Sequence, residues 1–189
     1  MILPLFRRPG RTIDALYGAI VAQARAAHFY AGMGVPDTVS GRFDLVLLHV
    51  VLVLRRLRQG EAKDGSKARA LAQSVFDTFC RDMDHNLREM GISDQGLPRH
   101  MQRVGEAFYG RAQAYEAALG DAAGEGALAD ALARNVYPDT ADPTYAAALA
   151  HYVRKVEEAL GAQPLAALAD GIISFPDPQI SQGCDGVES

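Results

Sequence analysis

Residues Leu45–Leu54, LVLLHVVLVL, form a ten-residue apolar run whose only polar side chain is His49. No other stretch limits the fold as much. Spanning a bilayer as a helix takes roughly 20 apolar residues, so this run is too short. A helix that is apolar all round has to be covered all round. The run therefore predicts a buried central helix over about Arg42 to Gln59, ending near Gly60. On such a helix His49 is expected to be a hydrogen-bonded core histidine rather than a ligand.

Elsewhere the apolar residues recur at helical spacing, with no convincing two-residue alternation. A first helix is expected from Thr12, as its cap, to about Tyr30, and the glycine-rich stretch from Ala31 to Gly41 reads as a loop. Glu61 to Ser66 reads as a polar connection. A long third helix follows, about Lys67 to Met90, with the stripe Leu71, Val75, Phe79, Met83, Leu87 and Met90. Gly91 is its stop signal. A fourth helix, about Gln95 to Leu119, carries Leu97, Met101, Val104, Phe108, Tyr115 and Leu119 and tolerates Pro98 in its first turn. The short link between the two predicts an antiparallel hairpin with Phe79, Met83, Leu97, Met101 and Phe108 in its seam. Shorter helices are expected at Ala127–Asn135, from the cap Asp142 with Pro143 to Gly161, and from Pro164 to Gly171. The fold class is thus all-α: a single-domain bundle of about six to seven helices with a central helical hairpin. It covers residues 1–175, with C-terminal helices in 125–171 and a flexible tail over 176–189.

Composition narrows the function classes. The chain has 189 residues, of which 49% are apolar, and a net charge of −4, which offers no electrostatic footprint for nucleic acid. Charge is segregated: residues 1–60 hold eight bases and three acids, while residues 120–189 hold three bases and eleven acids. Cys80 and Cys184 are too few for a disulfide framework or a four-cysteine zinc site, and this usage fits a reducing compartment. The opening MILPLFRRPGR places its apolar residues before its arginines, the reverse of a secretory signal. The expected location is cytoplasmic, with at most peripheral membrane contact.

Catalytic and metal motifs are missing. The stretch from Asp82 begins like a calcium loop, but its sixth position is Leu87 and its twelfth is Ser93. The histidines at 28, 49, 85, 100 and 151 show no ligand spacing, and no HExxH, P-loop, GxGxxG or GxSxG is present. The reading is of a non-enzyme with no cofactor and no metal. One polar feature stands out. Asp82, Asp84, Asn86, Arg88 and Glu89 crowd two turns at the end of the third helix. Pairs of acid then base four apart explain part of this; a docking surface for a polar partner segment is the other reading. Around the same region lie Met33, Met83, Met90 and Met101, adaptable to varied apolar partners. Met33 and Met90, near element ends, are the better surface candidates.

Three blocks resemble a known family: IVAQARAAHFYAGMGVPDTVSGRFDLVLLHVVLVLRRL (Ile20–Leu57), FDTFCRDMDHNLREMGISD (Phe76–Asp94) and LPRHMQRVGEAFYGRAQAY (Leu97–Tyr115). They are similar to the ubiquinol–cytochrome c chaperone family, the assembly factors for cytochrome b, over a core of residues 12–119. The resemblance implies a chaperone that binds nascent or newly inserted cytochrome b and supports its haem acquisition or its hand-over into ubiquinol–cytochrome c reductase. It implies a compact bacterial member at the inner face of the inner membrane, with the ribosome or a small helper protein as further partners. The partner-binding residues it implies are Pro36, Asp37, Arg42, Asp82, Asp84, Asn86, Arg88, Glu89, Tyr109 and Arg111, with Gly34 and Gly41 serving loop geometry. Residues 95–100, QGLPRH, and 121–126 depart from the family pattern. Two alternatives stand beside this reading. One is a helical adaptor for soluble partners or the ribosome without client contact. The other is an enzyme or haem carrier drawing axial ligands from His28, His49, His85, His100 or the methionines, although no CxxCH is present.

Overall fold

The computed structural model describes residues 9–120, 122–140 and 142–178. Most of the expected tail, 179–189, and Cys184 lie outside the described residues. Eight helices and no strand are found among those described: α1 (Pro9–Ala24), α2 (Ala27–Ala31), α3 (Val39–Gln59), α4 (Glu61–Glu89), α5 (Leu97–Ala118), α6 (Ala127–Val136), α7 (Pro143–Ala162) and α8 (Leu165–Ala169). The fold is an all-α bundle. No described helix is long and apolar enough to cross a membrane.

The bundle is organised around α3, which packs against α1, α4, α5, α6 and α7. Every residue from Asp44 to Val53 is buried. Thr38 caps the helix, its hydroxyl accepting from the Gly41 amide at 3.1 Å. The arginines after the apolar run tie its far end down. Arg55 Nε donates to Glu157 at 2.6 Å and its guanidinium also pairs with Glu116. Arg56 donates to the Leu160 carbonyl at 2.7 Å and the Gln163 carbonyl at 2.9 Å, both at the C-terminal end of α7.

His49 sits in the core with no exposed surface, and its two ring nitrogens are both bonded. Nδ1 lies 2.7 Å from the Leu45 carbonyl, which can only accept, so the proton is on Nδ1. Nε2 then accepts from the Tyr152 hydroxyl at 2.8 Å, and that hydroxyl accepts from Gln23 Nε2 at 2.9 Å. Gln23 donates as well to the Pro176 carbonyl at 2.9 Å. Phe29 and Phe175 meet the imidazole edge-on. Burial holds the imidazole neutral and lowers its pKa to about 4.

Helices α4 and α5 form the expected antiparallel hairpin: Phe76 and Phe79 of α4 meet Phe108 of α5, with ring centroids 4.9 and 5.5 Å apart. Phe79, Met83, Leu97 and Phe108 are buried in this region, while Met101 is only partly so. The hairpin lies against α3, which is the true centre. Gly91, at φ +83°, ends α4 in a left-handed turn, with Gly91 N–H on the Arg88 carbonyl and Ile92 N–H on the Leu87 carbonyl.

Several boundaries differ from expectation for physical reasons. The first helix is two helices, because the chain turns at Arg25–Ala26 so that Phe29 can enter the core beside His49 and Tyr152. Thr12 is inside α1 rather than at its start. Glu61 to Ser66 is the first part of α4, continuing directly from α3 through Gly60. Asp142 caps α7 as expected, accepting from the Thr144 amide at 2.9 Å. Cys80 is half-buried and packs against the core.

Two measurements test this core. Phe79→Ala removes a fully buried ring and should cost about 3–5 kcal/mol in urea unfolding; a cost below about 1 kcal/mol would place the α4 stripe outside the core. The second uses pH. His49 has a folded pKa of about 4, against about 6.5 unfolded. Its depressed value means stability is fully present above pH 6.5 and is lost as pH falls toward 4. Asp44, pushed up to about 6 by burial against the pull of Arg111, contributes in the opposite sense. The informative quantity is therefore the difference between parent and His49→Gln. Between pH 7 and pH 4.5 the parent should lose roughly 2–3 kcal/mol relative to the variant, and parallel curves would refute a neutral buried imidazole.

Candidate functional site

The apolar stripe of α4 is longer than the core that receives it. Leu71, Val75, Phe79 and Met83 are buried, Leu87 is half-buried, and Met90 is 60% exposed. Helix α5 starts after the Gly91 turn. Together with the first turns of α3, the ends of α4 and α5 enclose a groove of about 610 Å³. Its apolar wall includes Phe43, Val46, Met83, Leu87, Met90 and Val104. Val39, 68% exposed, stands at the same groove. Its polar members are Arg25, Arg42, Asp82, Asn86, His100 and Arg103.

The lip of the groove is fixed by the loop before α3. The Pro36 carbonyl lies where a Cβ on Gly41 would stand, 2.0 Å away, so only glycine permits this approach. Gly34, at φ +64°, turns the same loop. Asp37 pairs with Arg42 at 2.7 Å, which keeps the guanidinium over the Tyr30 ring, 5.7 Å from its centroid. Asp82 accepts from the Tyr17 hydroxyl at 2.9 Å; burial and the facing carboxylate push the phenol pKa far upward, so it stays a donor. Met33 is only 1% exposed, so it is a core residue and not the surface candidate expected.

The structure divides the residues expected at a partner site into separate places. Arg42, Asp82 and Asn86 line the groove, with Asp37 and Pro36 at its lip. Asp84 and Arg88 are outside that lining. Arg88 donates to Asp84 at 2.9 Å and also pairs with Asp94, bracing the Gly91 turn. Glu89 pairs with His85 at 3.2 Å. Tyr109 is 65% exposed, and its ring lies 6.2 Å from that of Phe76, outside the groove lining. Arg111 is turned inward, with Nη2 2.8 Å from Asp44 Oδ1 and its guanidinium 6.0 Å from the Phe43 ring centroid. The ionic contact is not a hydrogen bond, and Asp44 Oδ1, Arg111 Nε and the Tyr115 hydroxyl are buried without one.

Sequence reasoning missed Arg25, Phe43, Val46, Val104, His100 and Arg103 as groove residues. The available signal was the overrun itself: Leu87 and Met90 continue the α4 stripe past the last core partner α5 can offer. Among the described residues no three metal-ligating side chains gather.

Comparison with known proteins agrees with this architecture. The family model described as Ubiquinol-cytochrome C chaperone matches residues 31–175. The chain is 28% identical over 142 residues to "Ubiquinol-cytochrome c reductase complex assembly factor 1" of Mus musculus, covering 74% of this chain and 46% of that protein. It is 27% identical over 141 residues to the Xenopus laevis factor, covering 74% and 68%. The chain thus spans about half the length of the mouse relative and about two thirds of the frog one. Among solved structures, "Crystal structure of the Cbp3 homolog from Brucella abortus" superposes with a TM-score of 0.80 at 42% identity, covering 90% of this chain and 91% of that one. The match over most of the chain and the shared helical fold lead to one conclusion: this chain belongs to the ubiquinol–cytochrome C chaperone family, as a bacterial member.

Proposed function

We propose that the chain is a non-enzymatic chaperone for the assembly of ubiquinol–cytochrome c reductase that holds newly made cytochrome b. The observation that carries this is the unpartnered end of the α4 stripe, which leaves an apolar groove beside exposed Met90 and Val39. A newly made membrane subunit exposes apolar segments that aggregate in water, and a groove of this kind covers one as an amphipathic helix is covered elsewhere. Thioether side chains at Met83 and Met90 suit a surface that accepts more than one apolar shape. Membership of the family and the assembly-factor relatives support the reading. The work is assigned to the cytoplasmic side of the inner membrane, in peripheral contact with it.

Two double variants locate the client. Val39→Asp with Met90→Asp places charges in the groove at exposed positions, and should leave stability within about 0.5 kcal/mol of the parent. Recovery of cytochrome b with the tagged protein from cells should fall about tenfold, as expected when charges are desolvated without partners. Asp84→Lys with Glu89→Lys tests the ion-pair ridge, whose exposed pairs contribute at most about 1 kcal/mol each. Loss of cytochrome b with the ridge variant alone would move the client to that ridge. Full recovery with both, and normal reductase levels in a deletion strain, would replace the chaperone by an adaptor for the ribosome or a helper protein.

A further inference from the structure

We infer that the groove at the end of the hairpin binds haem, with His100 as axial ligand. The inference rests on the groove being the working site, and adds a small-molecule occupant to it. Three independent features of the site point to this ligand. First, the His100 Nδ1 lies 3.0 Å from the Gly96 carbonyl. A carbonyl only accepts, so the proton is on Nδ1 and the lone pair is on Nε2. No described residue bonds Nε2. An imidazole held through Nδ1–H by a backbone carbonyl, with Nε2 open, is the arrangement that suits a metal-ligating histidine.

Second, the cavity matches the rest of the molecule. The volume of about 610 Å³ is within the range of small-molecule sites. Phe43, Met83 and Met90 offer an aromatic face and polarizable sulfur to a flat apolar macrocycle. No three metal-ligating side chains converge among the described residues, so a bare ion is poorly served. A macrocycle that brings its own equatorial nitrogens needs only one protein ligand.

Third, the charge at the groove is complementary to two carboxylates. Arg25 and Arg103 line it and make no ion pair with another described residue. The third arginine of the groove, Arg42, is already engaged with Asp37, and the groove's carboxylate, Asp82, accepts from the Tyr17 hydroxyl. Free guanidinium groups at an apolar slot fit carboxylates that extend from an apolar body. A fatty acid would satisfy these arginines but would leave Nε2 without a role.

The test is a titration of the purified full chain with ferric protoporphyrin IX, followed by its Soret band. The expected result is saturable binding with a shift to an imidazole-ligated spectrum. His100→Gln should abolish that shift and weaken binding about tenfold or more, whereas His85→Gln, outside the groove, should leave both unchanged. Arg103→Glu should weaken binding while preserving the ligated spectrum. Iron-free protoporphyrin should bind parent and His100→Gln alike. A parent spectrum identical to free ferric porphyrin overturns the inference, as do superposable spectra of parent and His100→Gln, or equal loss in His85→Gln. A melting curve for each variant separates ligation from unfolding. Recovery of cytochrome b is scored separately: a groove without haem that still needs Val39 and Met90 for its client refutes only this inference.

Discussion

The structure depends on covering α3 on every side while satisfying one imidazole inside that cover. Hydrophobic burial does most of the first task, since ten consecutive residues of the helix lose their water. The second task is directional. His49 uses its own helix for one bond and borrows Tyr152 from α7 for the other, and Gln23 from α1 completes the chain of donors. A bare apolar core would tolerate sliding of α7 along α3. The bonded triad accepts only one register, because each lost partner would leave a polar atom dry at a cost of about 1–3 kcal/mol. The position of α7 in turn fixes the carbonyls that Arg56 reaches.

Much of this fold was legible in the residues. The apolar run at Leu45–Leu54 announced the central helix, the four-residue steps of α4 announced the hairpin, and Gly91 and Asp142 announced their turn and cap. What could not be read is long-range. Nothing near Arg25 signals a break in the first helix; the cause is Phe29 finding His49 and Tyr152, residues distant in sequence. Likewise Glu61 to Ser66 looks like a linker because it is polar, yet the backbone continues through it as one helix with the apolar stripe that begins at Leu71.

The site was legible only in part, and for a related reason. Five polar residues crowd two turns of α4, but a helix distributes neighbours in sequence around its circumference. Asp82 and Asn86 therefore reach the groove, while Asp84 and Arg88 brace the turn outside its lining. Arg111, eleven residues beyond His100 in sequence, is occupied with Asp44 instead. That buried contact is imperfect, with Asp44 Oδ1 lacking a hydrogen bond and burial dominating its pKa. Its value is positional: the guanidinium rests near Phe43, a residue of the groove wall. Burying a charge pair there does not by itself argue for stability.

The Pro176 carbonyl and the Phe175 ring close the same polar chain that begins at Gln23. An early helix, the central helix, a late helix and the stretch after α8 thus share one set of bonds. Synthesis delivers these pieces in order, with the last of them near residue 176. Until that point leaves the ribosome, the His49 pocket lacks one wall and Gln23 lacks one acceptor. A protein whose proposed task is to meet other chains as they emerge thus closes its own central pocket only after residue 176 has followed the helices it joins.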